Sequence, residues 1–291
     1  MRLFPRFLPI ALVVTFIAGC VTAPPQEEEE EEVEAAPQQQ EVVVPAKSAL
    51  ERAKEYDDIA MQFITSGEYE QTIESFLKAL SIREETLGST HPETIKSYDA
   101  LAWANLSKGD NEKALEWYQK ALSIRDQAPN GHITDRITNL ENIARVYQRQ
   151  GKSIRALEWF RKTAEAREQA QGKEHPETIA DYYRIARIYD HQNDFRNALG
   201  WYRRILAIQE KNLGNDHPAI AAIRSDIANV HFDRGDYDLA LSEQFTAYRI
   251  FVKKFSILHR DSGAIKTRME KIYESSSSKQ PFDDWLLEKM R

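Results

Sequence analysis

The sequence predicts an all-α protein, a solenoid of five stacked helical hairpins closed by a C-terminal pair of helices. Three observations predict it. First, Gly67, Gly109, Gly151 and Gly235, with Asn193 in the open place, stand in one register with a period of 42 residues. Second, Ala60, Ala102, Ala144, Ala186 and Ala228 keep the same register, each preceded by an aliphatic residue (Ile59, Leu101, Ile143, Ile185, Ile227). Third, apolar residues within a unit fall at helical spacing, as in Ile59, Ala60, Phe63 and Ile64, then Ile73, Phe76, Ala79 and Leu80. A fixed period of this length marks a repeat architecture, in which each unit buries its apolar face on its neighbours.

The N-terminus comes first. Arg2 and Arg6 precede an apolar run from Phe7 to Gly19 and then Cys20. A helix of that length rises only about 20 Å, short of a hydrocarbon core of about 30 Å. A positive start, a short apolar stretch and small residues before a cut site describe a secretory signal peptide over 1–19. The end of that segment, Ile17-Ala18-Gly19-Cys20, resembles the lipobox of bacterial lipoproteins. The resemblance implies a diacylglycerol on the Cys20 sulfur, cleavage before it, and a membrane held through that lipid. Val21, rather than aspartate, is similar to the sorting pattern of outer-membrane lipoproteins. Cys20 is the single cysteine, so no intrachain disulfide forms.

Residues 20–45 then carry Pro24-Pro25, glutamates at 27–32, 34 and 41, and the run Gln38-Gln39-Gln40. Such a segment cannot bury enough apolar surface to offset the entropy of ordering it, and reads as an acidic tether of at most about 80 Å. The tether also holds the charge imbalance. The chain has 39 bases and 46 acids, a net charge of −7. Residues 1–45 take two arginines and eight glutamates, leaving 37 and 38, or −1, for the remainder. A near-neutral body argues against a nucleic-acid partner.

The five units follow at about 50–91, 92–133, 134–175, 176–217 and 218–259, with 252–291 as a degenerate cap. Ala-Leu pairs follow the turn at 114–115, 156–157, 198–199 and 240–241, and aromatics recur at Phe76, Tyr118, Phe160 and Tyr202. Small residues let paired helices approach, and the large ones fill the space between them. These residues resemble the tetratricopeptide repeat, whose pattern is matched by Ala60, Phe63, Gly67, Tyr69, Phe76 and Ala79, and again by Ala186, Tyr189, Phe195, Ala198 and Tyr202. The resemblance implies a right-handed solenoid whose concave face is lined by the first helix of each unit. The period is longer than the usual repeat, like that of kinesin light chains, which predicts helices about one turn longer.

Three junctions carry Gly88…His91-Pro92, Gly172…His175-Pro176 and Gly214…His217-Pro218. Glycine suits a helix C-terminus and proline the first turn of the next. The second junction departs, Ala128-Pro129-Asn130-Gly131-His132, and predicts a local kink. Past the fifth unit, 265–273 continues the register and 283–290 reads as a short last helix.

The chemistry is that of a binding surface. His91, His175, His217 and His259 lie one or two repeats apart, too far to share a metal ion, and read as junction residues. No phosphate loop, dinucleotide fingerprint, zinc-protease or serine-hydrolase motif occurs, so no enzyme and no cofactor is expected. Trp117, Trp159 and Trp201 recur at the period and read as packing. Carried over by register, one concave row runs Met61, Trp103, Arg145, Arg187, Asn229, and a second runs Asp57, Asp99, Glu141, Tyr183, Ser225. Varied chemistry along a fixed row suits a specific groove, in which Met61, Trp103, Arg145, Tyr183, Arg187 and Asn229 grip a partner's peptide or helix. Arginines there would pair with a carboxylate. The expected function is a membrane-anchored scaffold for envelope proteins. The alternative is a solute-binding lipoprotein, whose ligand would raise thermal stability saturably.

Overall fold

A computed structural model describes residues 48–127, 133–276, 278 and 280–291. The signal segment, Cys20, the acidic tether and the divergent 128–132 junction lie outside the described residues. The rest is helical throughout, and follows from the repeat. Each unit pairs a first helix with a second: α1 (Ala49–Ser66) with α2 (Tyr69–Leu87), α3 (Pro92–Lys108) with α4 (Asn111–Gln127), α5 (Ile133–Arg149) with α6 (Ser153–Gln171), α7 (Pro176–His191) with α8 (Phe195–Leu213), and α9 (Pro218–Arg234) with α10 (Tyr237–Phe255). The last pair is α11 (Arg260–Ser275) and the short α12 (Phe282–Met290). Each helix packs on the one before and the one after it, the serial order of a solenoid. No helix among the described residues is long and apolar enough to cross a membrane.

The turns explain the glycines. Gly67, Gly109, Gly151 and Gly235 have φ between 71° and 98°, and Asn193 takes the same left-handed conformation at φ 57°. Asparagine is the residue that best tolerates that region after glycine. At the junctions, Nδ1 of His91, His175, His217 and His259 accepts the backbone N–H two residues on at 3.2–3.3 Å. These histidines are therefore helix N-caps, satisfying a donor that has no intrahelical partner. Pro92, Pro176 and Pro218 follow at the first helical position, where a missing N–H costs nothing.

The core runs along the stack between the two helices of each pair. The alanine row is fully buried, and Leu101, Ile143, Ile185 and Ile227 beside it are at most 1 % exposed. Ile59 holds the same register yet is 39 % exposed, because α1 is the first helix among the described residues and packs on α2 alone there. That outer face has turned polar: Arg52, Glu55 and Gln62 stand where inner units bury Thr94, Ser97 and Ala104. At the other end α12 supplies Phe282, Trp285 and Leu286 to cover Met269, Ile272 and Tyr273 of α11.

The tryptophans are committed to packing. Trp117 stacks on Tyr98 at 5.8 Å between ring centres and Trp201 lies against Tyr182 at 5.3 Å. A cation covers each pair, Lys120 in the first and Arg204 in the second. Glu84 accepts from the Tyr98 hydroxyl and from Lys120, and Glu168 does the same for Tyr182 and Arg204. Trp159 lacks the tyrosine, since Leu140 takes its place, but keeps a cation, Lys162.

Candidate functional site

The candidate groove is the exposed face of the first helices, one residue past the buried alanine row. The two rows expected there behave differently. Along the first, Met61 is 54 % and Trp103 41 % exposed, and Arg145 and Arg187 are exposed as well. Asn229 is half-buried and its Oδ1 has no hydrogen-bond partner. Arg145 is not idle: its guanidinium donates to Glu141 at 2.6 Å.

The second row is largely occupied by the protein itself. Arg83, Arg125 and Arg167, on α2, α4 and α6, recur at the repeat period, and each reaches back to the acid of its own unit and forward to the next. Arg83 pairs with Asp57 and donates to Ser97 at 2.8 Å. Arg125 pairs with Asp99 at 2.6 Å and with Asn139. Arg167 pairs with Glu141 at 2.9 Å and with Asp181, which also holds Arg184 at 2.6 Å. Asp57, Asp99 and Glu141 are thus rungs of a partly buried ion ladder that stitches successive units. Burial raises the cost of the Glu141 charge, but Arg167, Arg145 and Arg184 overcome it and hold its carboxyl below the usual range. A buried ion with its partner in place is costly to strip of that partner, so these residues fix geometry before they could bind anything else.

The ladder stops at the fourth unit, where Gln209 replaces the arginine, Tyr183 the acid and Ile223 the forward partner. A different cluster takes over. On α7, Tyr183, Arg187 and Asp190 fall at i, i+4 and i+7 on one face; on α9, Asp226, Asn229 and Asp233 do the same at i, i+3 and i+7. Tyr202 of α8 lies beneath them, its ring 6.1 Å from that of Tyr183. Burial pushes the Asp226 carboxyl up to about 6, with Arg268 and Arg187 opposing and Asp190 reinforcing the shift. Asp190 is raised by burial and by Asp233. Tyr183 and Tyr202 are both pushed well above the ordinary phenol range by burial and by Asp226.

Sequence reasoning reached Tyr183, Arg187 and Asn229 of this cluster and missed Asp190, Asp226, Tyr202 and Arg268. The signal was present at one position: Asp226 follows Asp58, Ala100, Asn142 and Arg184 in register, a row as varied as the two chosen. The ladder was legible too, in three arginines at one period opposite three acids.

Four clefts of about 300 to 520 Å3 lie elsewhere, among them one lined by Arg224, Arg249, Lys253 and Met290 and one between α2 and α4 beside Trp117. None of these four is lined by Met61, Trp103, Arg145, Arg187 or Asn229.

Comparison with known proteins identifies the architecture. The chain is similar in structure to the kinesin light chain TPR-like repeats of Podosopora anserina, at 22% identity and a TM-score of 0.55, over 72% of this chain and 99% of that one. It is also similar to the apo form of RapI, at 15% identity and a TM-score of 0.59, covering 84% of this chain and 63% of that one. Identities this low show a shared fold. No curated protein matches the chain. The family model described as tetratricopeptide repeat matches residues 49–127 and 135–211, more than half of the sequence. With its hairpin units, its left-handed turn residues and its serial helix packing, the chain belongs to the tetratricopeptide repeat family.

Proposed function

We propose that this protein is a lipid-anchored interaction scaffold of the bacterial cell envelope, presenting the face of its first helices to a partner protein. The observation that carries the proposal is the contrast along that face. Met61 and Trp103 leave large apolar surfaces in solvent one residue away from a fully buried alanine row, on a face that is otherwise polar. Arg145 and Arg187 continue the row toward the fourth unit. Tryptophan and arginine are the residue types that most often carry binding energy at interfaces. An extended segment or a helix with an apolar anchor for Met61 and Trp103, and a carboxylate for the arginines, fits the row.

The anchor is Cys20, through its resemblance to the lipoprotein lipobox, on the outer-membrane side of the sorting pattern. Two or three acyl chains at about 0.8 kcal/mol per buried methylene hold a protein stably at a bilayer. The acidic tether then sets the solenoid off from anionic lipid.

One experiment tests both halves. A photo-crosslinking amino acid replaces Trp103 in the full-length chain, expressed in a bacterial host with a labelled fatty acid. The expected result is label on the wild-type chain and none on Cys20→Ser, together with one or two envelope proteins crosslinked at position 103. The same partners should be lost when Met61 and Arg187 are changed to glutamine. Unlabelled wild-type protein overturns the anchor; crosslinks that survive those changes overturn the groove.

A further inference from the structure

The cluster between α7 and α9 is short of hydrogen-bond donors, and the shortage defines a ligand. Asp226 has no hydrogen bond and no ion pair among the described residues, although burial holds its carboxyl up to about 6. Oδ1 of Asp190 and Oδ1 of Asn229 are both cut off from solvent and both without a partner. Tyr202 is only 3 % exposed, yet its hydroxyl has no partner among the described residues and lies within electrostatic reach of Asp226, Asp190, Arg187 and Tyr183. Buried polar atoms are almost always paired, so unpaired acceptors on α7 and α9, with an unpaired hydroxyl on α8 between them in the chain, call for an explanation. Arg187 and Arg268 are the nearby cations, and neither closes an ion pair with Asp226. Three aspartates, Asp190, Asp226 and Asp233, face those two arginines, which leaves the cluster a net negative charge.

We propose that this cluster is a cation subsite of the groove, seating a lysine or arginine side chain of the partner between α7 and α9. The inference rests on the groove reading and sharpens it. An ammonium brings three donors and no acceptor, which complements the carboxylates of Asp226 and Asp190, the orphaned amide oxygen of Asn229 and a phenol oxygen. A charge-assisted bond at a half-buried site is stronger than one at the surface. The described residues hold no group of three or more histidine, cysteine or acidic side chains placed to bind a metal ion, so the cation that fits is organic. The groove then reads in sequence from α1 to α9: apolar at Met61 and Trp103, cationic at Arg145 and Arg187, anionic at Asp226. A partner threading it carries an apolar anchor, an acidic centre and a basic residue in that spatial order.

The test uses the full-length chain, isotope-labelled, with acetyl-tetralysine-amide and acetyl-tetraglutamate-amide as probes at matched ionic strength. The lysine probe is expected to shift the Asn229 side-chain amide, and the glutamate probe is not. Asp226→Asn should weaken the lysine probe roughly tenfold, the loss of one charge-assisted contact. Asp58→Asn, at the same register position on α1, should leave it unchanged. Arg187→Gln should tighten it, a gain that damage to the fold cannot imitate. Equal affinity for wild type and Asp226→Asn, or no shift at Asn229 with millimolar probe, overturns the subsite. A partner that still crosslinks at position 103 and binds Asp226→Asn as well as wild type overturns the subsite while leaving the groove standing. No crosslink at 103 even in the chain that is otherwise wild type counts against the groove itself.

Discussion

Asp226 sets protein stability against binding. Its carboxyl titrates at about 6 in the folded chain against an ordinary value of 3.8, with burial as the main cause. The folded state therefore holds that proton more tightly than the unfolded one. The consequence is a penalty that is full above pH 6, shrinks as pH falls through 6, and vanishes below about pH 4. With a shift near two units, discounted for remaining solvent exposure, the penalty at pH 7.5 is about 1–2 kcal/mol. Asp226→Asn should raise stability by that amount at pH 7.5 and by little at pH 4. The check is chemical denaturation of both chains across that range. Taking the difference between them cancels every pH effect the two chains share. A difference that does not change with pH would refute the assignment. A residue that costs stability and breaks a local rule is what a binding site leaves behind.

At the scale of the element, the junctions show what a repeat can and cannot vary. Gly88, Gly172 and Gly214 sit at φ 80–89° and ψ near 160°, a region almost reserved for glycine. The last junction has Ser256 there, at φ 91° and ψ 163°. The backbone is held in that conformation because the Ser256 carbonyl accepts the Ser262 hydroxyl at 2.8 Å and the next helix starts at a capped His259. Strain of this kind costs about 1–3 kcal/mol, so Ser256→Gly should stabilise the chain by roughly 1 kcal/mol, read as a higher denaturation midpoint at unchanged slope. No gain would mean that the loop relaxes in solution. The same junction carries Ile257 and Leu258 where other units have Ser89-Thr90, Lys173-Glu174 or Asn215-Asp216. In the inner units the acid at this place pairs with a lysine of the next second helix, Glu174 with Lys211 and Asp216 with Lys253. Beyond α11 no full-length second helix follows, and that pairing ends.

For the whole molecule, stability is a sum of units and the faces between them, and both ends must be finished differently. At the first described helix the change is one of sequence, with Arg52, Glu55 and Gln62 on α1 where inner units bury Thr94, Ser97 and Ala104. The other end is finished by α12, whose Phe282, Trp285 and Leu286 bury Met269, Ile272 and Tyr273. Ending the chain at Ser276 should uncover those three residues and melt α11 first, with the inner units holding. Hydrogen exchange should show early loss of protection in α10 and α11 but not in α5 to α8. Uniform loss would mean that the stack unfolds as one unit.

How much of this was legible follows from distance along the chain. Fold class, unit register, turn residues, first-turn prolines and the short last helix were readable, because each depends on residues a few positions apart or one period apart. The exposed row of Met61, Trp103 and Arg187 was readable by the same register. The sequence by itself therefore determined the repeat and its helices. Tertiary structure decided which polar residues are spoken for. Asp57, Asp99 and Glu141 looked free and are held by arginines on the facing helices, whereas Asp226 looked ordinary and stands unpaired beside Tyr202. Periodicity reports which face a residue occupies. Whether its charge is matched depends on side chains brought across from neighbouring units, and only the packed stack brings them there.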